Sequence, residues 1–280
     1  MRKSIAITAA GLAVTVFGLT ACGSGSDSGS GKSGGKADDT LVVGATAVPA
    51  GEVLTYIKDD LAAKAGLKLE IREFTDYVLP NTALQEGSLD ANLYQNQPFL
   101  DEFNKSKNTD LVSVVKAYLP PMGVYSKKIK DIAKLADGAT VAVPNETTNE
   151  GRALKLLAAK GLITLKKGAG TDASPADISS NPKHLKFKEL DPAQLPRSLD
   201  DLDVAVINNN YAQDAGLSPA KDAILLESAE DNPYANLLAV KRGNEDDPRV
   251  EKLAKLLVSS DVKKFIAEKY KGSVLPVTSG

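Results

Sequence analysis

The side chains this chain lacks bound the chemistry open to it. Its 280 residues include one histidine, His184, one cysteine, Cys22, and no tryptophan. A disulfide within the chain is impossible, and zinc sites built from Cys and His are close to excluded. Any Ser-His-Asp or Cys-His catalytic set would have to run through His184. That histidine stands in Asn181-Pro182-Lys183-His184, a polar turn, and reads as a surface residue. Asp200, Asp201 and Asp203 lack the spacing and glycine of an EF-hand loop and read as a solvated helix start. Glu245-Asp246-Asp247, just before Pro248, reads as helix capping. No pair of carboxylates is specific enough to argue hydrolysis, and the residues imply no metal and no cofactor.

The cation best suited to recognition is Arg152, whose planar fork can bind both oxygens of a carboxylate. The sequence places it in the first turn of a helix capped near Asn149, where free N–H groups and the positive dipole end favour an anion. The plain alternative is a solvated surface arginine. Charge excludes one further class. There are 36 acidic against 34 basic residues, and setting aside Arg2 and Lys3 leaves 36 against 32. With no basic excess to neutralise a phosphate backbone, nucleic acid is not an expected partner.

The first residues read as an address. Met1-Arg2-Lys3 is a positive start, and the apolar run 5–19 is too short for a comfortable membrane span but suits a signal peptide. It ends in Leu19-Thr20-Ala21-Cys22-Gly23, which resembles the bacterial lipobox, in which the cysteine is acylated and becomes the mature N-terminus. Two acyl chains, palmitate among the usual ones, make a stable anchor where one would be marginal. Residues 23–36 are almost all Gly and Ser and cannot bury enough apolar surface to order themselves. The expected organisation is a signal peptide over 1–21, then Cys22 and a flexible tether to residue 37.

From Thr40 onward, apolar runs alternate with helical periodicity. Residues 40–45, 141–143 and 204–207 suit buried strands; residues 67–74 alternate with period two and suit a half-exposed one. Residues 89–94 suit a further strand. Val53, Leu54, Ile57 and Leu61 recur at helical spacing before Gly66, and helices are expected over 83–86 and 151–160, the latter stopping at Gly161. Asp247-Pro248 opens a helix carrying Val250, Leu253, Ala254 and Leu257; a last helix carries Val262, Phe265 and Ile266 and stops at Gly272. This alternation predicts an α/β protein.

Several segments carry a more specific resemblance. Residues 74–81 (FTDYVLPN), 89–95 (LDANLYQ) and 125–130 (YSKKIK) are similar to the methionine-binding lipoprotein family of the NlpA/MetQ type. So are Val143-Pro144-Asn145 continuing to Gly151-Arg152, residues 195–201 (LPRSLDD), Val206-Ile207-Asn208, and Pro233-Tyr234-Ala235-Asn236. The resemblance runs in order from the lipobox to the C-terminal helices. It implies a substrate-binding subunit of an ABC importer with a two-lobed type II periplasmic-binding-protein fold and a ligand cleft between the lobes. Residues 38–119 and 231–280 would form lobe 1, and 120–230 lobe 2. The chain would be held at the cell membrane by its lipid, facing the extracytoplasmic side. Its partners would be L-methionine or a related amino acid or dipeptide, and an ABC permease with its ATPase.

The resemblance also assigns residues. Asn208 and Asn236 match asparagines that hold the ligand backbone, although an Asn at a strand end is ordinarily a turn former. Tyr77 and Tyr94 match aromatics that sandwich the ligand side chain, where a thioether gains a sulfur–ring contact; taken alone, either could be a core or rim residue. Asn209 and Asn210 have no such support. Where the family commonly shows Phe-Gln-His, this chain has Tyr94-Gln95-Asn96, so an added hydroxyl and a lost ring are expected to make the pocket more polar. Asn96 therefore joins Tyr77, Tyr94, Asn149, Arg152, Asn208 and Asn236 as an expected ligand-binding residue. Two other classes stay open on sequence alone: a surface adhesin with a vestigial cleft, and a lipid-anchored hydrolase using carboxylates.

Overall fold

A computed structural model describes residues 39–277. The signal peptide, Cys22 and the tether lie outside the described residues.

The first lobe is built on a six-stranded sheet: β1 (Thr40–Thr46), β2 (Lys68–Phe74), β3 (Ala91–Asn96), β4 (Leu111–Leu119), and two strands from the far end of the chain, β12 (Asn236–Lys241) and β13 (Leu275–Pro276). The second is built on five: β5 (Gly123–Tyr125), β6 (Thr140–Pro144), β9 (Lys186–Leu190), β10 (Val204–Ile207) and β11 (Leu225–Leu226). A small hairpin, β7 (Thr164–Leu165) with β8 (Ile178–Ser180), stands apart.

The two sheets repeat one plan. In the first the order is β2-β1-β3-β12-β4-β13; in the second it is β9-β6-β10-β5-β11. Each contains one strand paired parallel to two neighbours, β1 to β2 and β3 in the first and β6 to β9 and β10 in the second. Each then accepts an antiparallel strand that has just arrived from the other lobe, β12 in one and β5 in the other. The chain crosses over residues 120–122 and returns over 227–235. This is the two-lobed type II arrangement, and it sets the ends of β3, β12, β6 and β10 around one cleft.

Alternation and helical spacing fill the space between. Leu41, Val43 and Ala45 of β1 pack with Leu93, Leu238 and Val240. They lie under Val53, Leu54 and Ile57 of the first helical segment, whose regular centre is α1 (Glu52–Tyr56). Val250, Leu253 and Leu257 of α7 (Pro248–Leu257) and Val262 and Ile266 of α8 (Ser260–Tyr270) close the same core. The opposite face is covered by α2 (Leu79–Gln85) and α3 (Gln97–Lys107), with Leu84, Phe99, Leu100 and Phe103 buried. In the second lobe, Val141 and Val143 meet Ala153, Leu154 and Leu157 of α4 (Thr147–Ala159). Two short helices, α5 (Asn209–Asp214) and α6 (Pro219–Asp222), follow β10.

Some boundaries differ from the sequence reading. Helix α2 starts at Leu79 instead of Ala83, because Pro80 fits the first turn of a helix. Helix α3 and strand β4 are additional elements; Asn96 as N-cap with Pro98 behind it was the available signal. Helix α4 starts at Thr147, and its N-cap is Glu146, whose carboxylate accepts from the N–H groups of Thr148 and Asn149. Asp200 ends a 3₁₀ turn, Pro196–Asp200, instead of starting a helix. Asp203 accepts from the Thr140 N–H at 2.8 Å and from Lys128 Nζ at 3.0 Å. Asp247 is the expected N-cap, and His184 sits exposed in its turn. Among the described residues no helix is long and apolar enough to cross a membrane.

Candidate functional site

A small cavity lies between the lobes, lined by side chains from both. Tyr77, Tyr94, Asn96 and Asn236 reach it from the first lobe; Asn149, Arg152 and Asn208 reach it from the second. The structure thus gathers seven residues spread over 160 positions of sequence. Phe99, Gln95, Pro120, Asn209 and Asn210 also line it.

One wall is aromatic. The ring centroids of Tyr77 and Tyr94 are 6.0 Å apart, and Phe99 meets them edge-on at 5.9 and 6.0 Å. Burial pushes both phenols well above their usual pKa, so they remain neutral hydrogen-bond donors. The Tyr94 hydroxyl donates to the Tyr77 backbone carbonyl at 2.9 Å. Its hydrogen is therefore satisfied within the protein, and the extra polarity expected from replacing Phe is taken up there. Behind this wall Asn81, Asn92 and Gln95 form a closed amide network, with contacts of 2.7–2.9 Å, that fixes β3 against α2. Asn96 is split between two roles: its Oδ1 caps α3 through the Phe99 N–H at 3.1 Å, while its side chain still borders the cavity.

The other wall is polar, and here the structure corrects two expectations. Arg152 sits in the second turn of α4, beyond the reach of the helix dipole. Its fork is engaged by Glu227: Nε donates to Oε1 at 2.9 Å and Nη2 to Oε2 at 2.6 Å. Nη2 also donates to the Pro120 carbonyl at 3.1 Å, and the guanidinium carbon lies 4.3 Å from the ring centroid of Tyr234. Both crossing segments therefore clamp it, and it is only 3% exposed. Only Nη1 has no hydrogen-bond partner among the described residues.

Asn149 donates its side-chain N–H to Glu146 Oε2 and accepts at Oδ1 from Asn208 Nδ2 at 2.9 Å. Burial raises the carboxyl pKa of Glu146, and the hydrogen bonds from Thr148 and Asn149 oppose that shift. Asn208 Oδ1 is buried without a partner. Asn236 gives Nδ2 to the Tyr94 carbonyl at 2.9 Å, which ties β12 to the aromatic wall.

Two asparagines left aside by the sequence reading prove to line the cavity. Asn209 bridges to the Pro121 and Ser273 carbonyls at 3.1 and 2.6 Å. Asn210 Oδ1 accepts from the Tyr77 hydroxyl at 2.5 Å, and its Nδ2 is buried without a partner. Next to it the Tyr211 hydroxyl donates to the Thr75 carbonyl at 3.1 Å, with the Tyr77 and Tyr211 rings 5.1 Å apart. These contacts join the segment after β2 to α5, so the lobes are latched over the cavity. The only sequence signal was three consecutive asparagines after a buried strand.

Two lobes of type II topology, crossed twice by the chain and closed over a cavity with one aromatic and one amide-rich wall, define a binding protein of the periplasmic class. The chain belongs to the NlpA lipoprotein family, whose profile matches residues 41–278. It is 49% identical over 201 residues to the D-methionine-binding lipoprotein MetQ of Salmonella typhimurium, covering 71% of this chain and 74% of that one. A nutrient binding protein from Burkholderia cenocepacia, solved bound to methionine, superposes with a TM-score of 0.82 at 49% identity, covering 85% of this chain and 100% of that one. Lipoprotein Tp32 from Treponema pallidum gives a TM-score of 0.82 at 38% identity, covering 86% and 100%. The names of these relatives describe lipoproteins and binding proteins, not enzymes.

Proposed function

We propose that this chain is a lipid-anchored, extracytoplasmic substrate-binding protein that captures methionine in the interlobe cavity and delivers it to an ABC-type permease and its ATPase. No bond is made or broken. The observation that carries the reading is the set of polar atoms without protein partners on residues that line this cavity. Arg152 Nη1 and Asn210 Nδ2 are donors suited to a carboxylate, and Asn208 Oδ1 is an acceptor suited to an ammonium. Asn208 Oδ1 and Asn210 Nδ2 are buried, and each such atom left unpaired costs about 1–3 kcal/mol, which a complementary ligand offsets. The neutral Arg152–Glu227 pair offers no net positive charge, which suits a zwitterion better than a dicarboxylate. The aromatic wall of Tyr77, Tyr94 and Phe99 suits a thioether chain. The named methionine-binding relatives support the same ligand, and the lipobox at Cys22 and the family's lipoprotein name support the anchor.

The test is circular-dichroism melting of the full chain in detergent, unfolded and refolded first to strip bound ligand. The panel contains L- and D-methionine, the other amino acids and methionine dipeptides. A ligand at 100 times its Kd adds about 2.7 kcal/mol, a shift of a few degrees. The largest shift should come from methionine. No shift with any amino acid would overturn the reading.

A further inference from the structure

We infer that Glu146, which no ligand needs to touch, fixes the polarity of the cavity by orienting two asparagine side chains in series. The Glu146 side chain ends in a carboxylate. Ionised, it only accepts hydrogen bonds. Glu146 Oε1 accepts from the Thr148 N–H and hydroxyl, both at 3.1 Å, and Oε2 accepts from the Asn149 N–H at 3.2 Å and from its side-chain Nδ2. Asn149 must therefore turn its NH₂ toward Glu146 and its Oδ1 away.

The next link follows in the same way. Asn149 Oδ1 faces the amide of Asn208 at 2.9 Å, so Asn208 must present its Nδ2 there. Its Oδ1 is then left as an acceptor, buried and without a protein partner, on a residue that is 6% exposed and borders the cavity. Reversing the first group would reverse both amides and turn that acceptor into a donor. Glu146 is thus a positioning residue for specificity: it makes this point of the cavity select a cationic pole, the ammonium of an amino acid, over an anionic or uncharged one. This rests on the reading of the cavity as an amino-acid site.

The experiment compares two probes by calorimetry on the stripped full chain: L-methionine and 4-(methylthio)butanoate, which has the same carboxylate and thioether but no ammonium. Wild type should prefer methionine by about tenfold or more, the scale of one charge-assisted hydrogen bond. In Glu146→Gln the new amide can turn its own NH₂ to Asn149, freeing both asparagines to rotate. The preference should fall to about threefold or less, mainly through weaker methionine binding. Asn149→Leu breaks the chain at its second link while leaving the Glu146–Thr148 cap in place, and should give the same collapse even if the Gln variant folds poorly. In the double variant the two effects should not add. A preference kept at the wild-type value in either folded variant, with both probes weakened alike, would overturn the positioning role. Failure of wild type to bind methionine would instead overturn the reading beneath it, and the inference with it.

Discussion

Arg152 and Glu227, 75 positions apart in sequence, meet edge to edge through two hydrogen bonds of 2.9 and 2.6 Å, with side chains only 3% and 11% exposed. Glu227 is also anchored, its Oε2 accepting from the Met122 N–H at 3.1 Å. The pair therefore ties α4 to both segments on which the lobes hinge. Glu227→Ala leaves a buried guanidinium without its counter-ion. It should lower the unfolding free energy by about 3 kcal/mol, measured by urea titration. A loss below about 1 kcal/mol would mean that water replaces the carboxylate at this site.

Tyr77 spans the cleft with its hydroxyl on Asn210. Tyr77→Phe keeps the aromatic wall and removes only this bond, worth about 1 kcal/mol. Ligand should leave about fivefold faster, because the closed form is the state that loses the contact. Stopped-flow displacement of bound methionine reads this directly, and an unchanged dissociation rate would remove the contact from the latch.

Gly151 precedes Arg152 within α4, where a helix would ordinarily gain about 1 kcal/mol from alanine. A Cβ built there would stand 2.3 Å from the Thr171 carbonyl oxygen and 2.8 Å from its carbon. Both are backbone atoms and cannot swing aside, so overpacking of about 1–3 kcal/mol should win. Gly151→Ala is expected to lower Tm; a higher Tm would show that the 171–173 segment yields.

Glu150 is buried, its Oε1 has no partner, and desolvation, with Glu189 and Glu146 nearby, pushes its carboxyl up to about 7. The folded state thus holds a proton that the unfolded chain releases near the ordinary carboxylate value of 4.5. The resulting stabilisation is complete below about pH 4.5 and disappears as pH rises through 7. Glu150→Gln removes this dependence. It should raise Tm by about a few degrees at pH 8 and by little at pH 4.5, in matched melting curves. An equal shift at both values would place the effect elsewhere.

Apolar runs and stop signals placed β1, β6, β10, α7 and α8 from sequence, because alternation and helical spacing report which face of an element is buried. Motif resemblance, together with the recognition chemistry of an arginine near a helix start, named the seven residues the fold brings to one cavity, including Arg152, Asn208 and Asn236. What those residues do there was decided by the tertiary structure. The sequence could not show that the fork of Arg152 is taken by a glutamate 75 residues away, nor that the Tyr94 hydroxyl finds a backbone carbonyl. It also could not separate Asn210, latched to Tyr77, from its neighbours in a run of three asparagines. Periodicity is a local property of the chain. The choice of hydrogen-bond partner depends on distances and angles between segments far apart in sequence, and those exist only once both lobes have folded and met.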